Sequence, residues 1–116
     1  MSETTLWHGR TLREWVPGAV DDIVRCCNPR RVILFGSVAR GEEGPDSDLD
    51  FMVVLDDLDP KDRIRLMGEI RGAIRARAPI DVLVTDVAAF ERWKDVVGSQ
   101  HYWPARDGEV VYEHDA

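Results

Sequence analysis

Phe35-Gly36-Ser37-Val38-Ala39-Arg40-Gly41 and, five residues on, Ser47-Asp48-Leu49-Asp50-Phe51-Met52-Val53-Val54-Leu55 decide how this chain is read. The second part, Asp48 to Leu55, has the composition of a strand. Alternation puts Asp48, Asp50, Met52 and Val54 on one face and Leu49, Phe51, Val53 and Leu55 on the other. Two carboxylates therefore project side by side, roughly 6 to 7 Å apart at their β-carbons. Their repulsion calls for a counter-charge, and a hard divalent cation between them supplies one. By itself an Asp-x-Asp is more often a solvent-facing pair at the start of a strand.

Outward from this centre the chain alternates helix and strand. Pro17 is expected to open a helix, with Val20, Ile23, Val24 and Cys27 as its core-facing stripe and Asn28-Pro29 as its stop. Arg31 to Phe35 reads as a buried strand ending abruptly at Gly36-Ser37. After a turn through Asp56 to Asp59, Pro60 leads a helix whose apolar face is Leu66, Ile70, Ala73 and Ile74; Pro79 marks its end. Ile80 to Val84 is a third strand. Thr85 or Asp86 caps another helix, with Phe90, Trp93 and Val97 at core spacing and Gly98 as its stop. Glu109 to Tyr112 is a last short strand. Three or four strands alternating with helices give a two-layer α/β domain.

The charge distribution narrows the function. Among 116 residues, 22 acids oppose 15 bases, for a net charge of −7. Arg40 to Asp62 alone holds nine acids (Glu42, Glu43, Asp46, Asp48, Asp50, Asp56, Asp57, Asp59, Asp62) against Arg40 and Lys61, so the whole excess sits in one island. Such an island is either a cation site or a solvated loop. An acidic domain of pI about 4.9 also argues against nucleic-acid binding, which needs a basic face. No apolar run approaches the ~20 residues of a membrane helix, Met1-Ser2-Glu3 is not a basic leader, and the adjacent Cys26 and Cys27 form neither a disulfide framework nor a zinc site. The expected location is a reducing cytoplasm.

Two further features bear on the site. Asp81 lies inside the apolar run Ile80-Asp81-Val82-Leu83-Val84, where a charge is costly unless paired or bound to a cation. If this strand neighbours the one bearing Asp48 and Asp50, three carboxylates converge. Gly36-Ser37 offers close backbone approach to a phosphate and one hydroxyl donor. With no lysine it is not a Walker loop, and with Phe35 in place of glycine it is not a hydrolase elbow.

Together, Gly36-Ser37-x-x-Arg40-Gly41 and Ser47-Asp48-x-Asp50 followed by Val53 resemble the signature of the minimal nucleotidyltransferases of the DNA polymerase β-like superfamily. The match runs from Phe35 to Leu55, and Asp81 falls where the family's third carboxylate is expected. The resemblance implies one nucleotidyltransferase domain over residues 1–116, its core at about 17–85, with a small mixed sheet packed against helices in two layers. It implies that Asp48 and Asp50 hold two Mg²⁺ ions on a nucleoside triphosphate, ATP as the AMP donor. Asp81 would ligate the second metal and help deprotonate the acceptor hydroxyl. Gly36 and Ser37 would hold the β- and γ-phosphates, and Ser47 would orient the metal-binding turn. Arg40 either reaches a phosphate or pairs with Glu42, Glu43 or Asp46.

Nearly every residue is needed for that core, so the acceptor must bring its own recognition surface, which points to a protein. Family members of this size pair with toxins carrying a HEPN ribonuclease domain. The resemblance therefore implies an antitoxin that transfers AMP to a toxin hydroxyl, usually a tyrosine. Two alternatives stay open: a non-catalytic antitoxin that neutralises its partner by binding, and, more distantly, a transferase for a small alcohol such as an aminoglycoside. The helix from Lys61 to Arg77 carries six bases, with Arg71 and Arg75 on one face; that face meets an acidic partner, meets the triphosphate, or is simply solvated.

Overall fold

The computed structural model describes residues 5–114. Its centre is an antiparallel pair, β1 (Arg31–Phe35) and β2 (Leu49–Leu55), with Phe35 opposite Asp50. A parallel strand, β3 (Ile80–Asp86), flanks β2, and β4 (Glu109–Glu113) flanks β1, giving the order β3-β2-β1-β4 in a mixed sheet. Parallel neighbours need a crossover. Here the 3₁₀ turn Pro60–Asp62 and the helix α2 (Arg63–Ala73) supply it.

Leu49, Phe51, Val53 and Leu55 join Leu12, Val16, Ala19, Val20 and Ile23 of α1 (Leu12–Cys27) and Ile70 of α2 in the main core. Burying a side chain of this size contributes roughly 1.5 to 3 kcal/mol, so this layer dominates stability. Met52 and Val54 point the other way, onto a smaller cluster with Ile33 and Phe90 of α3 (Val87–Trp93). The expected two-faced strand is thus present, its second face covered by α3 and, over Ile33, by the segment around Pro104 that leads into β4. Asp50 is only half-buried.

Several expected boundaries are corrected. The first helix opens at Leu12, not Pro17, because Thr11 and Glu14 form a reciprocal capping box, each side chain bonding the other's backbone N–H. Pro17 lies inside that helix, and Leu12 and Val16 ahead of it are buried side chains. The helix ends at Asn28, which takes a left-handed conformation while its N–H bonds the Val24 carbonyl. The second helix stops at Ala73 instead of running to Arg77. Ile74 is extended, and Asp22 of α1 takes the Arg75 N–H at 3.0 Å.

Asp86, not Thr85, caps α3, accepting from the Ala89 N–H at 2.8 Å. That helix ends at Trp93; of the three residues expected in the core only Phe90 is buried, while Trp93 is 42% and Val97 77% exposed. A short helix, α4 (Tyr102–Asp107), precedes β4 and has no counterpart in the sequence reading. Six residues around Pro104 are too few to show helical periodicity.

Candidate active site

Strand register builds the site. The parallel pairing of β2 with β3 sets Asp50 opposite Asp81, and Asp48 precedes Asp50 on the same face. One oxygen from each of Asp48, Asp50 and Asp81 lies within 4.8 Å of the other two. The conditional expectation, that the third strand must neighbour the second, is met. Three oxygen donors so spaced suit a hard divalent cation.

The electrostatics of the cluster are unfavourable by themselves. Asp50 is half-buried, and burial, then the charges of Asp81 and Asp48, push its carboxyl up to about 6; Arg40 opposes the shift. Asp81 is 67% exposed at its side chain and pairs with Arg71 of α2 at 3.6 Å.

Gly36 follows β1 directly, with φ +80°. A Cβ there would collide with Asp50 Oδ2, so glycine is required twice over, by backbone conformation and by space. The segment after it is no regular helix but a run of turns, closed by Arg40 N–H to the Gly36 carbonyl at 3.2 Å and Glu42 N–H to the Ser37 carbonyl at 2.8 Å. Helix-end amides therefore do not face a ligand here. Val38, 1% exposed, pins this turn into the core.

Ser37 and Ser47 meet at 2.8 Å through their hydroxyls, and Ser47 Oγ accepts the Gly44 N–H at 2.8 Å. That bond joins the two halves of the sequence signature. Arg40, for which two partners stood open, bonds Glu42 at 3.2 Å.

Two contacts brace the same loop from a direction that the sequence did not reveal. Glu43 accepts the Leu12 N–H at 3.2 Å, and Arg13 donates to the Val38 carbonyl at 3.1 Å. Their separations of 31 and 25 residues hide them from any local pattern. They also show how the acidic island divides. Glu42, Asp56 and Asp62 pair with Arg40, Arg30 and Arg65. Glu43 and Asp59 cap helix starts. Asp48 and Asp50 are the members that meet Asp81.

Residues 22–101 match the family model for the polymerase beta nucleotidyltransferase domain. The chain belongs to that nucleotidyltransferase family. Among solved structures it resembles a putative nucleotidyltransferase from Sulfolobus solfataricus, with TM-score 0.63 and 19% identity over 88% of this chain and 80% of that one. It also resembles a toxin–antitoxin solved with AMP-PNP, with TM-score 0.50 and 23% identity over 83% and 72% of the two chains. No curated protein matches it. For a nucleotidyltransferase the acidic triad is a fitting feature, since members of this family use a nucleoside triphosphate with a divalent metal.

Proposed function

We propose that this nucleotidyltransferase is an antitoxin that moves AMP from ATP to a hydroxyl of its partner toxin, with release of pyrophosphate. The observation that carries the reading is the convergence of Asp48, Asp50 and Asp81 beside the Gly36 turn. Mg²⁺ bound by these carboxylates would neutralise triphosphate charge and favour the attacking oxygen.

The chain's own groups then have defined work. Asp48 and Asp50 hold the cation sites, and Asp81 completes them and takes the proton of the acceptor hydroxyl. Gly36 leaves room for the β- and γ-phosphates, and the Ser37 hydroxyl, which donates to Ser47 Oγ in this structure, would turn from it to donate to them. Arg40 balances the local negative charge. The acceptor oxygen bonds the α-phosphorus as the bond from that phosphorus to the bridging oxygen breaks, and pyrophosphate carries the charge away. Little is asked of the protein beyond alignment and charge neutralisation.

A protein acceptor is supported by the openness of the site. Asp81 is largely exposed and Asp50 only half-buried, so the triad can be reached from outside. A partner can therefore form the missing wall. The likeness to a toxin–antitoxin solved with AMP-PNP points the same way, and the sequence resemblance makes the partner a HEPN-domain toxin with a tyrosine as the usual acceptor.

The competing reading is a binder that neutralises its partner by contact alone. Exposed apolar side chains along and beyond α3, Trp93 at 42%, Val97 at 77% and Trp103 at 60%, favour a docking surface of this kind. Co-expression with the toxin separates the two. Asp48→Ala loses protection of the cells if transfer is the mechanism, and keeps it if binding suffices.

A further inference from the structure

Of the six bases between Lys61 and Arg77, four form ion pairs, three of them away from the acidic triad. Lys61 pairs with Asp59, Arg65 with Asp62 and Glu69, and Arg75 with Asp22. Arg71 alone among these reaches the acidic triad, its NH1 lying 3.6 Å from Asp81 Oδ1. It sits in the last turn of α2, the helix that crosses over from β2 to β3, so the element that brings Asp81 beside Asp50 also carries its counter-ion.

We propose that Arg71 is a positioning residue that competes with divalent cations for Asp81 and holds the empty site ready for a single ion until nucleotide arrives. The inference rests on the reading of Asp81 as a cation ligand. Three ionised carboxylates carry three negative charges; with Arg40 engaged by Glu42, Arg71 reduces them to two, which one divalent ion balances. A second ion then has to displace the guanidinium or arrive with the negative charge of a triphosphate. Arg71 and Asp81 are both mostly exposed, so the pair is weak enough to be displaced. Its exposure also means that its removal leaves the packed core intact.

The test is Mn²⁺ binding without nucleotide at low ionic strength, followed by the loss of the free-ion paramagnetic resonance signal, in the full chain and in Arg71→Gln, Asp81→Asn and the double variant. Arg71→Gln is expected to bind Mn²⁺ about two- to fivefold more tightly, the range of an exposed ion pair. Asp81→Asn binds more weakly, and adding Arg71→Gln to it changes nothing further, because the arginine acts through that carboxylate. Unchanged or weaker binding by Arg71→Gln, alongside weakened binding by Asp81→Asn, overturns the role of Arg71 and leaves the site reading intact. If Asp81→Asn binds as well as the unaltered chain, Asp81 is no ligand and the underlying reading fails with it.

Discussion

Asp50 lies between Phe35 and Asp81 on the neighbouring strands, with Gly36 against its carboxylate. Its native value of about 6 stands above the ordinary 3.8, so the folded chain holds this proton more tightly than the unfolded one. The sign follows: this group favours the fold most below about pH 4, and that benefit is lost as pH rises through about 6. Asp50→Asn is therefore expected to stabilise the metal-free protein at pH 7.5 by about 1 kcal/mol, after allowance for the screening of a half-exposed group, which thermal melting would read as a rise of several degrees. The same change should remove transferase activity. Cation affinity is likewise expected to fall about tenfold per pH unit below 6, measurable by Mn²⁺ titration. Gly36→Ala faces both a positive φ and the Asp50 carboxylate, and should lose about 1 to 3 kcal/mol in denaturant melts. The triad was legible because its residues sit in strands, where period two fixes the face and an aspartate in an apolar run stands out. Arg40 was not, since its choice between phosphate and Glu42 depends on loop geometry.

At the scale of elements, strands were read almost to the residue and helix ends were not. β1 matched outright because an apolar run bounded by Asn28-Pro29 and Gly36 leaves little choice. For α1, Pro17 suggested a start that the Thr11–Glu14 capping box overrides, since the box satisfies orphan N–H groups a turn and a half earlier. The early end of α2 comes from Asp22, buried to 6% exposure and fifty-three positions away from Arg75, which it binds through the backbone N–H and the guanidinium. No local pattern encodes such a contact. Those bonds, the Arg75 N–H first, hold the Asp22 carboxyl below its ordinary range, so their contribution is present above about pH 4 and is lost as pH falls below it. Asp22→Ala should release the segment that leads from α2 into β3. The expected cost is about 1 to 3 kcal/mol by urea denaturation, with faster amide exchange at Arg75. Unchanged exchange there would show that the clamp does not hold the segment.

For the whole molecule, a mixed sheet covered on one face by α1 and α2, and on the other by α3 and α4, leaves the exposed Asp81 and its acidic neighbours open to a partner. Of the nine acids in the island visible in the sequence, five pair with arginines or cap helix starts, and Asp48 and Asp50 meet Asp81. The central claim is that these three aspartates transfer a nucleotide to another protein. Intact-protein mass spectrometry of the protein encoded beside this one tests it most directly, after incubation with this chain, Mg²⁺ and each nucleoside triphosphate in turn. The account predicts a mass gain of one AMP with ATP, and none when Asp48→Ala replaces the unaltered chain. A neighbour that stays unmodified with every triphosphate, while still forming a stable complex with this chain, would contradict it.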